Sequence, residues 1–171
     1  GFTVFVRYAL PGETITARID EVRTNFARGT LLQVDVANLQ RVTPPCPVYE
    51  ACGGCQLQHL SYEGQLAVKR QAVQDALQRI GKLADVPVQS VLGMTNPWRY
   101  RNKAQFPVGR RGGETVTGCF AAGSHAIVPT DQCLIQHEMN DRLLAAVRWS
   151  AGNIGIEPYD ERTGQGVLRH V

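Results

Sequence analysis

The chain has 171 residues, 43% of them hydrophobic and 19% charged, enough to bury a core in one ordinary domain or two small ones. A net charge of +3, from 18 basic and 15 acidic residues, permits nucleic-acid binding without arguing for it. No apolar run approaches the length of about 18 residues that a membrane span needs, and no signal-peptide pattern is present, so the expected compartment is the cytoplasm, with no membrane partner.

Residues 1–42 read as strands. Phe2, Val4 and Val6 alternate with Thr3, Phe5 and Arg7. Pro11-Gly12 marks a turn, and Thr14, Thr16, Arg18 and Asp20 then alternate with Ile15, Ala17, Ile19 and Glu21. A Val- and Leu-rich run from Leu31 to Leu39 follows. Three short strands with turn signals between them predict part of a small antiparallel barrel. Residues 43–60, TPPCPVYEACGGCQLQHL, form neither a helix nor a central strand, because proline and glycine interrupt both.

A helix is predicted over 61–80. Ser61 is the N-cap, Glu63 suits the positive end, and Gly81 is the C-terminal glycine. Leu66, Val73, Leu77 and Ile80 mark its apolar face. Strand-like runs follow at Val88–Leu92, Asn102–Val108, Thr115–Ala121 and His125–Val128. A second helix is predicted over His137–Ser150, with Met139, Leu143, Leu144 and Val147 inward. Gly164 and Gly166 introduce a last strand. The class is α+β. The opening GFTVFVRYALPGETITARI reads as the middle of a strand-rich unit and the closing GVLRHV as the start of a strand, so a segment of a longer protein is expected.

Five cysteines are present, and three of them fall within ten residues as Cys46-x5-Cys52-x2-Cys55, with Cys133 about eighty residues later. Without a secretion signal such clustering favours a metal over disulfides. A Cys-x2-Cys pair lets two thiolates reach one centre from a tight turn, and the amides of Gly53 and Gly54 could point at sulfur. Thiolate ligands suit zinc or an iron–sulfur cluster. Zinc sites usually use two close pairs, so three ligands plus one distant one favour the cluster. The bland alternative, buried unligated thiols, lacks a periodic apolar pattern for them to join. His59 could replace one thiolate in a zinc site, or pack nearby. Cys119 reads as a small strand residue rather than a nucleophile, for want of an activating base.

Residues 97–111, PWRYRNKAQFPVGRR, hold five basic residues and no acid, with Trp98, Tyr100 and Phe106 interleaved. Phosphates attract such cations and unstacked bases stack on such rings, which makes Trp98, Arg99, Tyr100, Arg101 and Lys103 candidate RNA contacts. Strand alternation would put Arg99, Arg101 and Lys103 on one face. A solvated strand with core aromatics is the competing reading. His125 is a further candidate, although a lone histidine is more often structural.

The segments PPCPVYEACGGCQLQHLSYEGQLAVKR, NPWRYRNKAQFPV, GSHAIVPTDQC and TGQGVLRHV resemble, in that order, the RNA uracil-5-methyltransferases that make 5-methyluridine in bacterial 23S ribosomal RNA. VFVRYALPGETITARI is similar to the later strands of the TRAM domain, an OB-like RNA-binding barrel. The resemblance implies a [4Fe–4S] cluster on Cys46, Cys52, Cys55 and Cys133. It implies a partial TRAM barrel at 1–42, a cluster loop at 43–60 closed by Cys133, and a central RNA-binding domain at 61–171. It places S-adenosylmethionine and the catalytic residues in a Rossmann-like domain beyond residue 171. No glycine-rich nucleotide loop follows a strand in these residues, so no catalytic or cofactor-binding residue is assigned, and the 171 residues alone are expected to be inactive. The expected partner is 23S ribosomal RNA, bound by a monomer. The alternatives are a tRNA uracil-5-methyltransferase, or a zinc or iron–sulfur RNA-binding module without catalysis. A radical enzyme, which leaves one iron open, is disfavoured by a fourth ligand.

Overall fold

The computed structural model describes residues 1–171. The alternating segments near the start form β1 (Thr3–Arg7), β2 (Thr14–Val22) and β3 (Phe26–Val36). β2 and β3 make an antiparallel hairpin, closed where the amide of Arg23 donates to the Phe26 carbonyl at 2.8 Å. β1 adds to the other edge of β3 and runs parallel to it, so the order is β1-β3-β2. The expected purely antiparallel arrangement is therefore a mixed sheet. The reason lies at Tyr8–Glu13, where the chain reverses around Pro11-Gly12 and β2 skips its sequence neighbour.

That reversal is held by one ion pair. Arg41 donates through Nε to Glu13 Oε1 at 2.5 Å, and through Nη2 to Glu13 Oε2 and the Tyr8 carbonyl, each at 2.7 Å. Glu13 also accepts the amides of Leu10 (2.9 Å) and Asn38 (3.1 Å), and its side chain has no exposed surface. Tyr8 takes φ +69°, a left-handed conformation rare outside glycine, to turn the strand end into this knot.

Ser61 caps α1 (Tyr62–Asp75) by accepting the Gly64 amide at 3.1 Å, and Glu63 occupies the first turn, both as the sequence predicts. The helix continues as a wider π turn over Ala76–Ile80. Gly81 ends it at φ −72°, right-handed rather than left-handed. The expected apolar face is only partly covered: Leu66 and Leu77 are half-buried, whereas Val73 is 52% and Ile80 83% exposed. Val88–Leu92 forms no strand, and this segment is tied back by Arg70 Nε donating to the Val88 carbonyl at 2.9 Å.

Further along lie β4 (Val108–Arg111), β5 (Glu114–Phe120) and β6 (Ile127–Pro129), all antiparallel in the order β4-β5-β6. Gly112 and Gly113, at φ +59° and +88°, supply the two left-handed residues that a tight hairpin requires. His137 caps α2 (Glu138–Ile154), its Nδ1 accepting the Met139 amide at 3.2 Å, and Gly155 ends it at φ +70°. Leu144 and Ala151, seven apart and each 4% exposed, form the buried stripe, whereas Met139 and Leu143 face outward at 49% and 54%. Arg148 joins this helix to the sheet by donating to buried Thr117 Oγ1 at 2.7 Å. Phe106, Val108 and Ile135 complete the core. Most of Asn102–Val108 is irregular, but Phe106 and Val171 exchange backbone hydrogen bonds of 2.8 and 2.9 Å, so the last residues pair there without forming a longer strand.

The chain divides into two compact units. One comprises 1–44 with 56–93, and the other 45–55 with 94–171. The cysteine-bearing loop thus packs with the second sheet, while α1 groups with the first. The class is α+β.

The Glu13–Arg41 knot has a pH signature. Hydrogen bonding from Arg41, supported by the Leu10 and Asn38 amides, lowers the Glu13 carboxyl from 4.5 to about 2. A carboxyl depressed on folding stabilises the fold fully above its unfolded value, and that contribution is lost as pH falls from about 4.5 toward 2. Acid titration followed by circular dichroism should show this loss. Arg41→Ala should cost roughly 2 kcal/mol at pH 7, the size of a charged hydrogen-bond cluster, and shrink that acid step.

Candidate functional site

The loop bearing three cysteines is organised by β5. Cys52 bridges antiparallel to Ala121, and the Gly53 amide donates to the Phe120 carbonyl at 2.9 Å. Gly53 is required there, since a Cβ would lie 2.7 Å from that carbonyl oxygen. Inside the loop the Tyr49 amide donates to Cys46 O at 3.1 Å and the Cys52 amide to Val48 O at 2.8 Å, with Tyr49 buried as the anchor.

Cys46, Cys52, Cys55 and Cys133 are all half-buried in this same unit, and none is in a disulfide. Cys55 is near enough to raise the cost of ionising both Cys46 and Cys133. Burial pushes the thiols of Cys46 and Cys133 up, since both lose water around a charged sulfur. Backbone amides meet three of the four sulfurs. Gly54 donates to Cys52 Sγ at 3.3 Å, Val48 to Cys46, and Ile135 and Gln136 to Cys133. Of the two glycine amides expected to face sulfur, Gly54's does so and Gly53's pairs with β5.

The donor set fits a soft cationic centre, because amides and a positive core together relieve the penalty on crowded thiolates. No three His, Cys, Asp or Glu side chains converge closely enough to hold a single metal ion. A lone zinc would require its thiolates to draw together around one point at about 2.3 Å each. His59 belongs to the other unit, where it is buried edge-on to Tyr8, and burial lowers its pKa.

Cys133 is also gripped from behind. Its amide donates to Asp141 Oδ1 at 3.0 Å, and its carbonyl accepts from Arg99 Nη1 at 3.0 Å. Arg99 Nη1 further bonds Asp141 Oδ2 at 2.6 Å and the Gln136 carbonyl at 3.2 Å. Arg99 takes φ +58° to do so, which breaks the alternation expected for 99–103. Its guanidinium is thus directed at the Cys133 turn. Arg101 and Lys103 are exposed, as is Tyr100 at 49%, while Trp98 is half-buried. The Arg101 backbone pairs with 135–137, its amide donating to Ile135 O (2.9 Å) and its carbonyl accepting from His137 (2.8 Å).

Residues 1–32 match the TRAM domain family. The whole chain is 47% identical to an uncharacterized RNA methyltransferase of Halalkalibacterium halodurans and 50% identical to one of Bacillus cereus, covering 37% of each. An uncharacterized RNA methyltransferase of Caldanaerobacter subterraneus is 44% identical over the same 171 residues, 38% of its length. The chain is a homologue of a segment of RNA methyltransferases. It spans just over a third of these relatives. Its fold is also similar, at a TM-score of 0.70 and 21% identity, to Pyrococcus abyssi tRNA (uracil-54, C5)-methyltransferase in complex with S-adenosyl-L-homocysteine, covering 98% of this chain and 37% of that one.

His125 borders the same cavity as Pro107, Val108 and Gly109 of the 97–111 segment. It is exposed, stacks on Phe120 with centroids 5.2 Å apart, and contacts Glu161 at 2.7 Å. That bond, with help from Arg169, holds the Glu161 carboxyl below its usual value. Together with Tyr159 and Arg169 the pair borders an open cavity of about 270 Å³. Tyr159 and Glu161 went unnoticed in the sequence because they carry no motif, and Arg169, although inside TGQGVLRHV, was given no role there. Asp141 was missed because an acid in the first turn of a helix already satisfies the helix dipole. Removing it should expose its double role. Asp141→Ala should destabilise the chain by about 2 kcal/mol in urea unfolding, the cost of stranding a buried charged donor. Arg99→Ala should likewise destabilise the chain, since it removes the one nitrogen, Nη1, that meets two carbonyls and a carboxylate.

Proposed function

We propose that this chain is the RNA-recognition and iron–sulfur part of an S-adenosylmethionine-dependent enzyme that methylates C5 of uracil in 23S ribosomal RNA, working as a monomer in the cytoplasm. The observation that carries the proposal is the gathering of Cys46, Cys52, Cys55 and Cys133 in one unit, with amides on three of the sulfurs. These four residues would hold a [4Fe–4S] cluster, which would supply positive charge and cross-link the loop to the Cys133 turn. Uracil stacked in folded RNA must be extruded before a methyl group can reach it, and an exposed basic and aromatic surface supports the flanking strand. Arg101, Lys103 and Tyr100 are the contacts favoured by exposure, and Trp98 is half-covered. His125, beside Arg169, is a second contact point. S-adenosylmethionine belongs to the Rossmann-like domain that the family resemblance puts after residue 171.

Likeness to a tRNA (uracil-54, C5)-methyltransferase favours a second reading, with tRNA as the substrate. Competition for binding between a 23S fragment and tRNA separates the two, and tighter binding of tRNA would displace the first.

The cluster is tested by anaerobic purification, which should give brown protein with about four irons and four sulfides per chain. Stoichiometric zinc without acid-labile sulfide would replace the cluster with a zinc module. The RNA surface is tested by salt titration. Arg101→Ala or Lys103→Ala should each flatten the salt slope by about one unit, and Tyr100→Ala should weaken binding by roughly 1–3 kcal/mol with that slope unchanged. Unchanged binding in all three variants moves the RNA surface elsewhere. These 171 residues alone should transfer no methyl group. The Cys119 thiol, pushed up by its hydrogen bond with Cys52 and by burial, is a poor nucleophile.

A further inference from the structure

Cys119 is the one cysteine left unassigned, and it lies among the other four. The antiparallel bridge sets Cys52 opposite Ala121, which places Gly54 opposite Cys119. Side chains two apart on a strand share a face, so Cys119, Ala121 and Cys52 point to the same side. A Cβ on Gly54 would lie 3.4 Å from Cys119 Sγ and 3.4 Å from Cys52 Sγ. The two sulfurs thus flank a position where glycine leaves no side chain between them, and they are within hydrogen-bonding reach of each other.

We propose that Cys119 is an alternate thiolate donor for the iron position assigned to Cys52, so that the centre is a five-thiol site with one exchangeable ligand. The inference rests on the iron–sulfur reading above. The exchange is a ligand substitution with no electron transfer. The Cys119 thiol gives its proton to a solvent base and its sulfur bonds iron. The Cys52 sulfur leaves that iron and takes up a proton. Charge and oxidation state are the same before and after. Among the four, Cys52 is the one whose sulfur flanks Gly54 together with Cys119, so the exchange is assigned to its position alone.

The test is anaerobic reconstitution of the 171-residue chain with ferrous iron and sulfide, read as bound iron, acid-labile sulfide and the visible circular dichroism of the cluster. Cys119→Ala should load like the wild type. Cys52→Ala should keep most of its iron and sulfide, with a changed dichroism spectrum that reports a new ligand. The double variant Cys52→Ala/Cys119→Ala and the single variant Cys55→Ala should both fall to background. Far-ultraviolet dichroism verifies folding, and Cys52→Val, equally unable to ligate iron, replaces Cys52→Ala if the latter does not fold. Loss of cluster from folded Cys52→Ala or Cys52→Val, with the wild type fully loaded, overturns the exchange alone. A wild-type chain that takes up neither iron nor sulfide overturns the iron–sulfur reading, and the exchange with it.

Discussion

The loop that carries three cysteines has no helix, and its only ladder contact inside the second unit is borrowed from β5. A chain rich in proline and glycine pays a large entropy cost to be fixed, and its own residues supply few contacts to offset it. The bond from the Gly53 amide to Phe120, the bridge at Ala121 and the burial of Tyr49 set its position. Once these are in place, Cys46, Cys52 and Cys55 have defined locations on the same unit as Cys133. Burial first, and the nearness of the other thiols after it, raises the cost of ionising Cys46 and Cys133, so the arrangement suits a positive centre better than free thiolates. Amides directed at sulfur work in the same sense.

What the sequence revealed was local. Ser61 and Glu63 start a helix because capping needs only a hydroxyl three residues from an amide. The alternation in 14–22 becomes β2 because a pleated strand exposes that period directly. The clustered cysteines were legible because soft ligands at short spacing in a Gly/Pro loop have little other use. What the sequence hid was long-range. Cys119 looks like any small strand residue until the bridge at Ala121 sets it opposite Gly54. The parallel partner of β3 could not be foreseen from three strands in a row, since nothing in β1 indicates which edge it joins. Met139 and Leu143 fit a helical stripe, yet the stripe that packs is Leu144 and Ala151, because the sheet meets the helix at Thr117 through Arg148.

Arg99 illustrates how neighbouring residues of one type acquire different tasks. Arg99, Arg101 and Lys103 are equivalent in a regular strand, but one left-handed residue removes that equivalence. Turning Arg99 toward the Cys133 carbonyl takes one cation away from solvent and leaves two. The left-handed backbone costs on the order of 1–3 kcal/mol, offset by bonds from one guanidinium to two carbonyls and a carboxylate.

The same turn links the thiol site with the exposed cations. Cys133 begins the segment that pairs with 99–101, where the amides of Arg99 and Arg101 donate to Leu134 and Ile135 and His137 donates back to Arg101. Asp141, in the first turn of α2, holds both the Cys133 amide and the Arg99 guanidinium. The backbone of Arg101 is therefore set by a segment whose first residue carries a candidate ligand. A centre that fixed Cys133 would act on this shared segment, and its effect on the basic surface would pass through backbone bonds rather than through charge. Through that connection a centre on Cys133 would steady the exposed cations without any electron transfer.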